Sequence, residues 1–169
     1  FDKDLIYNGF KVMPNSNECT TPLYNFEDKS CYKEVTEDSI IVSFKLLEKY
    51  HNTYILIWTT TPWTLPANLA LCINKNIENI NIYHIEHKKN YIIATKLIDK
   101  IFKENTYEIY EIIKFENLIN VKYEPIFNYY SNIKNAFFIV SDNYVLDDSG
   151  TGIVHLSPTF GEDDYRICL

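Results

Sequence analysis

Thr53-Tyr54-Ile55-Leu56-Ile57-Trp58-Thr59-Thr60-Thr61-Pro62-Trp63-Thr64-Leu65-Pro66-Ala67-Asn68-Leu69-Ala70-Leu71-Cys72-Ile73 is the stretch on which the fold turns. Its opening is β-branched and aromatic and predicts a strand over 53–58. Pro62 and Pro66 then break the pattern, so 59–66 must be a shaped loop. Residues 69–73 resume as a short apolar run, the pattern of a buried strand. Proline fixes φ and removes a backbone donor, which stiffens the loop. Threonine offers a donor, an acceptor and a methyl group on a side chain with few rotamers. Thr59, Thr60, Thr61, Thr64 and Asn68 could therefore hold a polar ligand at small ordering cost. The same composition would also serve a strand-to-strand turn with capping threonines.

Outward from this stretch, residues 40–44 form a β-branched run and a predicted strand. Residues 80–85 and 91–94 read as a hairpin around the charged turn 86–90. Leu97, Ile98, Ile101 and Phe102 have helical spacing, so 95–103 is a predicted helix with Thr95 as its cap. Residues 107–113 and 137–140 read as further strands, while 115–136 carry no clear pattern. Residues 1–38 are polar and turn-rich and read as a lead-in from a neighbouring domain. Many strands, few helices, no internal repeat and no long linker predict one domain over 1–169. Its expected class is α/β: a compact β-rich fold with a β-barrel-like core and a few short peripheral helices.

The composition bounds the function. With 169 residues, 46% of them hydrophobic, the chain can bury a substantial core. No apolar run approaches the length of a membrane span, so no membrane partner is expected. The start Phe1-Asp2-Lys3-Asp4 has neither the basic nor the apolar region of a signal peptide. It also lacks an initiator Met, and both ends read as cut from a longer chain. Net charge is -7 and Arg166 is the one arginine, which disfavours a long nucleic-acid grip through phosphates. Contact with a short end of a nucleic acid remains compatible. Cys19, Cys31, Cys72 and Cys168 form no C-x-x-C pair and read as reduced structural thiols.

A second constellation is Gly150-Thr151-Gly152-Ile153-Val154-His155-Leu156-Ser157-Pro158, followed by Gly161-Glu162-Asp163-Asp164-Tyr165. The glycines suit a tight turn or a close backbone approach to a ligand. His155 ends an apolar strand and could be either a pocket residue or a satisfied structural histidine. Asp163 and Asp164 open a helix, where the dipole favours acids. At most one of two adjacent carboxylates should point into a pocket. His84 and His87 echo metal-binding text, but they sit in a hairpin rather than at helical H-E-x-x-H spacing, and no metal site is expected.

Together the two motifs resemble the editing domain of isoleucyl-tRNA synthetases. Trp58–Asn68 with Ala70 is similar to that domain's threonine-rich peptide, and Gly150–Tyr165 to its second signature. Tyr7–Pro14, Thr21-Pro22-Leu23 and Tyr32-Lys33-Glu34-Val35 resemble the segment entering the domain in the cytosolic eukaryotic type. The related valyl and leucyl domains carry Arg-Pro and an acidic residue where this chain has Thr61-Pro62-Trp63. A valyl- or leucyl-type editing domain and a non-catalytic module binding a tRNA 3′ end are the alternatives.

The resemblance implies an insertion into a class I synthetase that hydrolyses Val-tRNA(Ile) in the cytoplasm, with valyl-adenylate as a second candidate substrate. Isoleucine and valine differ by one methylene, worth about 1–3 kcal/mol, a limit for which this family is itself the standard illustration. A second, smaller pocket would then remove the wrong product. By the same resemblance, Asp164 binds the α-ammonium of the mischarged amino acid. His155 and Thr64 line its side-chain pocket. Thr59, Thr60, Thr61 and Asn68 surround the ester and the terminal adenosine, and Trp63 and Gly152 join the substrate-binding set. Thr59, Thr60, Thr61 and Asp164 are the expected catalytic positions. No metal or cofactor is expected for editing. ATP and Mg would serve a synthetic site whose motifs this chain lacks. The expected partners are the valine-bearing 3′ end of tRNA(Ile) and the rest of the parent synthetase.

Overall fold

The computed structural model describes residues 6–23, 33–47 and 50–169. Cys31, Tyr32 and the start of the lead-in at 1–5 lie outside the described residues. The described residues hold ten strands in chain order: β1 (Asn15–Ser16), β2 (Thr21–Pro22), β3 (Ile40–Lys45), β4 (Thr53–Thr59), β5 (Ala70–Ile73), β6 (Asn79–His84), β7 (Lys89–Ala94), β8 (Tyr107–Ile113), β9 (Phe138–Ser141) and β10 (Val154–Leu156). Among the described residues three short helices follow the same order: α1 (Ile98–Ile101), α2 (Phe115–Leu118) and α3 (Glu162–Cys168). Two-residue strands β1 and β2 are the only regular structure in the described part of the lead-in.

The strands make a five-stranded sheet, β3-β4-β7-β6-β8, and a three-stranded sheet, β10-β5-β9, besides the β1–β2 pair. Period-2 alternation sorts their side chains. Ile55 and Ile57 of β4 and Ile92 of β7 face Leu71 and Ile73 of β5 and Ile139 of β9, and together they form the main core. The opposite face of the large sheet, with Leu56, Ile80, Ile82 and Ile93, is covered by Leu97, Ile98 and Phe102 at α1. The opposite face of the small sheet, with Ala70, Cys72 and Leu156, packs against Val145 and Ile167 of α3. The central strands β4, β5 and β7 are thus buried on two faces, which is why they carry near-continuous apolar runs, whereas β3 and β8 at the edges of the large sheet are mostly exposed.

The barrel-like core takes the form of two packed sheets. Isolated bridges Leu46–Tyr123 and Lys122–Phe138 stitch β3 to β9 at one corner. Among the described residues no pairing joins β8 to β10, so the ring stays open there. The 115–136 stretch supplies this stitch. Its pairings are made by single residues of distant sequence, and such contacts leave no periodicity to read.

The expected helix over 95–103 is shorter than its pattern. A 3-10 turn over Thr95–Leu97 precedes α1. Thr95 does not cap it, because its hydroxyl donates to the Glu78 carbonyl at 3.2 Å. The hairpin turn also resolves His84 and His87. Their rings stack with centroids 4.0 Å apart, the His87 amide donates to His84 Nδ1, and His87 Nδ1 meets the Tyr91 hydroxyl. These contacts engage Nδ1 of each ring. Cys19, Cys72 and Cys168 are free thiols, and burial pushes the Cys72 thiol up to about 12.

Candidate functional site

The chain passes from the large sheet to the small one between β4 and β5, and the threonine-rich loop makes that passage. A 3-10 turn over Pro62–Ala67 forms it, with Pro62 at the first position where its missing N–H costs nothing. Thr59 Oγ1 accepts from the Thr61 amide at 3.0 Å, which shapes the entry. The Thr64 amide donates to the Thr61 carbonyl at 3.1 Å, and the Asn68 amide to the Leu65 carbonyl at 3.0 Å. β10, which pairs with β5, brings His155 beside this turn.

Two bonds sew turn and strand together. Thr64 Oγ1 lies 2.7 Å from His155 Nε2, and Ser157 Oγ donates to the Thr64 carbonyl at 2.8 Å. Thr64 Oγ1 also donates to the Thr61 carbonyl at 2.9 Å. A hydroxyl has one proton to give. The Thr64 hydroxyl therefore either gives its proton to the Thr61 carbonyl and accepts from His155 Nε2–H, or gives it to a His155 Nε2 that bears no hydrogen.

After β10 the chain turns into α3, and Asp164 occupies its first turn. Asp164 Oδ2 accepts the Ser157 amide at 2.8 Å. Gly161 sits against this carboxylate, so closely that a Cβ there would stand 3.0 Å from the carboxyl carbon. The neighbouring Asp163 points away and pairs with Arg166, which also holds Asp142. One of the two adjacent carboxylates thus faces the turn, and the other faces solvent.

These elements enclose a cleft of about 420 Å³. Thr59, Thr60, Thr61, Trp63, Thr64, His155 and Asp164 all line it, so most of the residues singled out in the sequence come together. Trp58, Val154, Phe160 and Gly161 complete the wall and had not been singled out as site residues. Phe160 is 58% exposed at the cleft, and an aromatic between Pro158 and Gly161 of the second motif was the available signal.

Asn68 and Gly152 are not among the cleft's lining residues. Asn68 is buried: its amide donates to the carbonyls of Ala70 and Leu156, and its oxygen accepts the Tyr123 hydroxyl at 2.7 Å. It fixes the exit of the turn to both sheets. Gly152 has φ 71° and lies against Ala94, where a Cβ would collide with the Ala94 side chain. Gly150 lies in the same way against Trp58. The close approach the glycines permit is of backbone to protein.

The electrostatics divide the cleft. Burial lowers the His155 imidazole to about 4, so the ring is neutral at physiological pH. Burial raises the Asp164 carboxyl, the Ser157 amide partly offsets this, and Asp163 adds to the rise. No described lysine, arginine or histidine forms an ion pair with Asp164. A half-buried carboxylate without a counter-ion is stabilised by an arriving cation. The cleft therefore offers an anionic point, a neutral imidazole and a rim of hydroxyls.

The His155 environment makes acid stability a test. A folded pKa below the unfolded value of 6.5 means that the unfolded chain takes the proton first as pH falls. The contribution is fully present above pH 6.5 and is lost on acidification from 6.5 through about 4. The difference in stability between the native chain and His155→Gln should therefore shrink over that window, by on the order of 1–3 kcal/mol. Thermal melts of both at pH 7 and pH 4 measure it, and a difference independent of pH would show that His155 is not held neutral.

No family model matches the chain. Whole-length comparison is informative. The chain is 45% identical over 172 residues to the probable cytoplasmic isoleucine–tRNA ligase of Dictyostelium discoideum, covering all of the chain and 16% of that protein. It is 45% identical over 172 residues to the cytoplasmic isoleucine–tRNA ligase of Mus musculus, covering 14% of it. The cytoplasmic enzyme of Saccharomyces cerevisiae is 43% identical over 99% of the chain. The chain thus spans about a sixth of the length of these relatives. Among solved structures, GlLeuRS-CP1 superposes with a TM-score of 0.63 at 17% identity, over 76% of this chain and 58% of that one. The editing domain of the P. falciparum cytosolic leucyl-tRNA synthetase superposes with a TM-score of 0.55 at 19% identity, over 69% and 45%. The structural likeness establishes the fold and the whole-length identity the lineage: the chain belongs to the isoleucine–tRNA ligase family, as a segment with the editing-domain fold of class I synthetases.

Proposed function

We propose that the chain hydrolyses valine from mischarged tRNA(Ile), and that it acts on the 3′ end of that tRNA as part of a cytoplasmic isoleucine–tRNA ligase. Valyl-adenylate would meet the same groups. The observation that carries this is the cleft where the Thr59–Thr61 hydroxyls, Thr64, His155 and the unpaired Asp164 carboxylate converge. Asp164 receives the α-ammonium in a charge-assisted bond, which orients the ester. Thr64 and the neutral His155 ring bound the space left for the side chain. The hydroxyls of Thr59, Thr60 and Thr61 position water and the ester carbonyl. Water oxygen bonds to the carbonyl carbon, the carbon–ribose oxygen bond breaks, and the proton passes to the departing ribose oxygen. Free valine and an uncharged tRNA end result. Positioning and electrostatic stabilisation supply the rate, with no protein nucleophile, metal or cofactor. ATP and Mg belong to the synthetic site elsewhere in the parent enzyme.

Binding of non-hydrolysable analogues tests the assignment. Valine joined by an amide to 3′-amino-3′-deoxyadenosine should bind the parent synthetase. The isovaleryl analogue, which lacks the ammonium, should bind about 30-fold more weakly or worse. Equal affinity for the two would remove Asp164 from the ammonium role.

A further inference from the structure

Two buried side-chain oxygens have no hydrogen-bond partner among the described residues, Asn79 Oδ1 and Asn81 Oδ1. They lie two residues apart on β6 and so share a face of the large sheet. Elsewhere that face carries Ile55, Ile57, Ile92 and Ile113 of the main core. Towards one end it turns polar. Thr53 of β4, Asn90 of β7, Asn81 of β6 and Glu111 of β8 come from four successive strands. They line a cleft of about 470 Å³, with Tyr50 and Tyr110 in its wall. It lies at the start of β4, and the editing cleft lies at the end of that strand.

The ladder is irregular at this place. The register of β6 against β8 shifts between Asn81 and Ile82, and Tyr110 is the extra residue opposite them. Bulges of this kind re-aim side chains and accompany sites. Asn81 is 2% exposed, and a buried carbonyl oxygen left without a donor costs stability. The chemistry of the missing partner follows from the lining. Thr53 Oγ1 spends its proton on the His51 carbonyl and keeps only lone pairs. Glu111 has no ion pair with any described residue, and the Tyr50 hydroxyl is raised by burial and, after it, by the Glu111 negative charge. Among the described residues no lysine or arginine lines the cleft, and His51 is its one basic side chain. Beside the amides of Asn90 and Asn117, the site offers the Asn81 and Thr53 oxygens as acceptors and the Glu111 carboxylate at its edge, and its aromatic walls favour a cation over their faces.

We propose that this cleft binds an organic cation, a primary ammonium or a guanidinium group. Asn81 Oδ1 accepts one N–H on its floor, and the Glu111 carboxylate accepts another at its rim. The group sits either on a small free amine or on a lysine or arginine side chain from the rest of the synthetase. The proposal stands apart from the deacylase assignment, because none of these residues lines the editing cleft.

The test is calorimetric titration of the full-length synthetase with butylammonium, methylguanidinium and spermidine, together with its crystal structure. Asn81→Leu removes the unpartnered oxygen and keeps the branched shape of the side chain, and Glu111→Gln removes an exposed charge, so both variants should fold and should deacylate Val-tRNA(Ile) at the native rate. For a free amine as ligand, the native enzyme binds at least one probe, and each variant binds it roughly tenfold more weakly or worse. For a side chain as ligand, the probes do not bind, and a lysine or arginine of the synthetase occupies the cleft within hydrogen-bond reach of Asn81 Oδ1. Probe binding equal in all three proteins overturns the proposal. So does a cleft that holds water alone on Asn81 in an enzyme that takes up no probe.

Discussion

Asp164→Asn should lower hydrolysis of Val-tRNA(Ile) by about 30-fold to several thousandfold, because losing one partner of a desolvated charge pair costs about 2–5 kcal/mol. The fold should survive, since the asparagine oxygen can still accept the Ser157 amide that Asp164 holds at 2.8 Å. Asp164→Ala should lose the activity and also some stability, because it abandons that amide. The cost of a hydrogen bond to a charged acceptor is about 1.5–3 kcal/mol. The structure thus assigns this carboxylate a holding role at the β10–α3 turn that a helix-start position alone did not announce. Asp163→Ala should behave differently. It breaks a solvent-exposed pair with Arg166, worth about 0–1 kcal/mol, and leaves hydrolysis near the native rate. Deacylation rates and melts on the three variants separate the roles. Equal, mild effects at Asp163 and Asp164 would show that the ammonium site lies elsewhere.

Thr64→Ala should make the enzyme attack its own correct product. Thr64 is buried in the cleft wall, held by the Thr61 carbonyl and His155 Nε2. Shrinking it removes bulk where the extra methylene of isoleucine must fit. One methylene in an apolar pocket is worth about 1–3 kcal/mol, for which isoleucine–tRNA ligases are themselves the standard example, so Ile-tRNA(Ile) deacylation should rise about 10- to 200-fold. Thr64→Val keeps the bulk and loses the bond to His155, and it should go on rejecting isoleucine. If Thr64→Ala leaves Ile-tRNA(Ile) untouched, another residue sets the limit.

The site was legible where chemistry is local in sequence. The Thr59–Thr64 cluster and the His155–Asp164 signature each carry their own residues, and β5–β10 pairing joins them. Asn68 shows the limit. Its amide reads as a polar ligand group, yet its partners are Ala70, Leu156 and Tyr123, and only the fold brings the last two near. Gly152 is similar, since its neighbour Ala94 lies far off in sequence, at the end of β7 in the large sheet. Strands 53–59 and 107–113 announced themselves through β-branched runs, whereas the stitch at Lys122 and Tyr123 rests on single bridges. Thr95 misled because a threonine before a helical pattern can bond elsewhere, as it does to Glu78.

The central claim is a pocket that accepts valine and excludes isoleucine. Deacylation of Val-tRNA(Ile) and Ile-tRNA(Ile) by the full-length synthetase, measured side by side under single turnover, tests it most directly. The valyl ester should be hydrolysed at least about tenfold faster than the isoleucyl ester. Equal rates for the two esters, or no hydrolysis of the valyl ester by the intact enzyme, would contradict it.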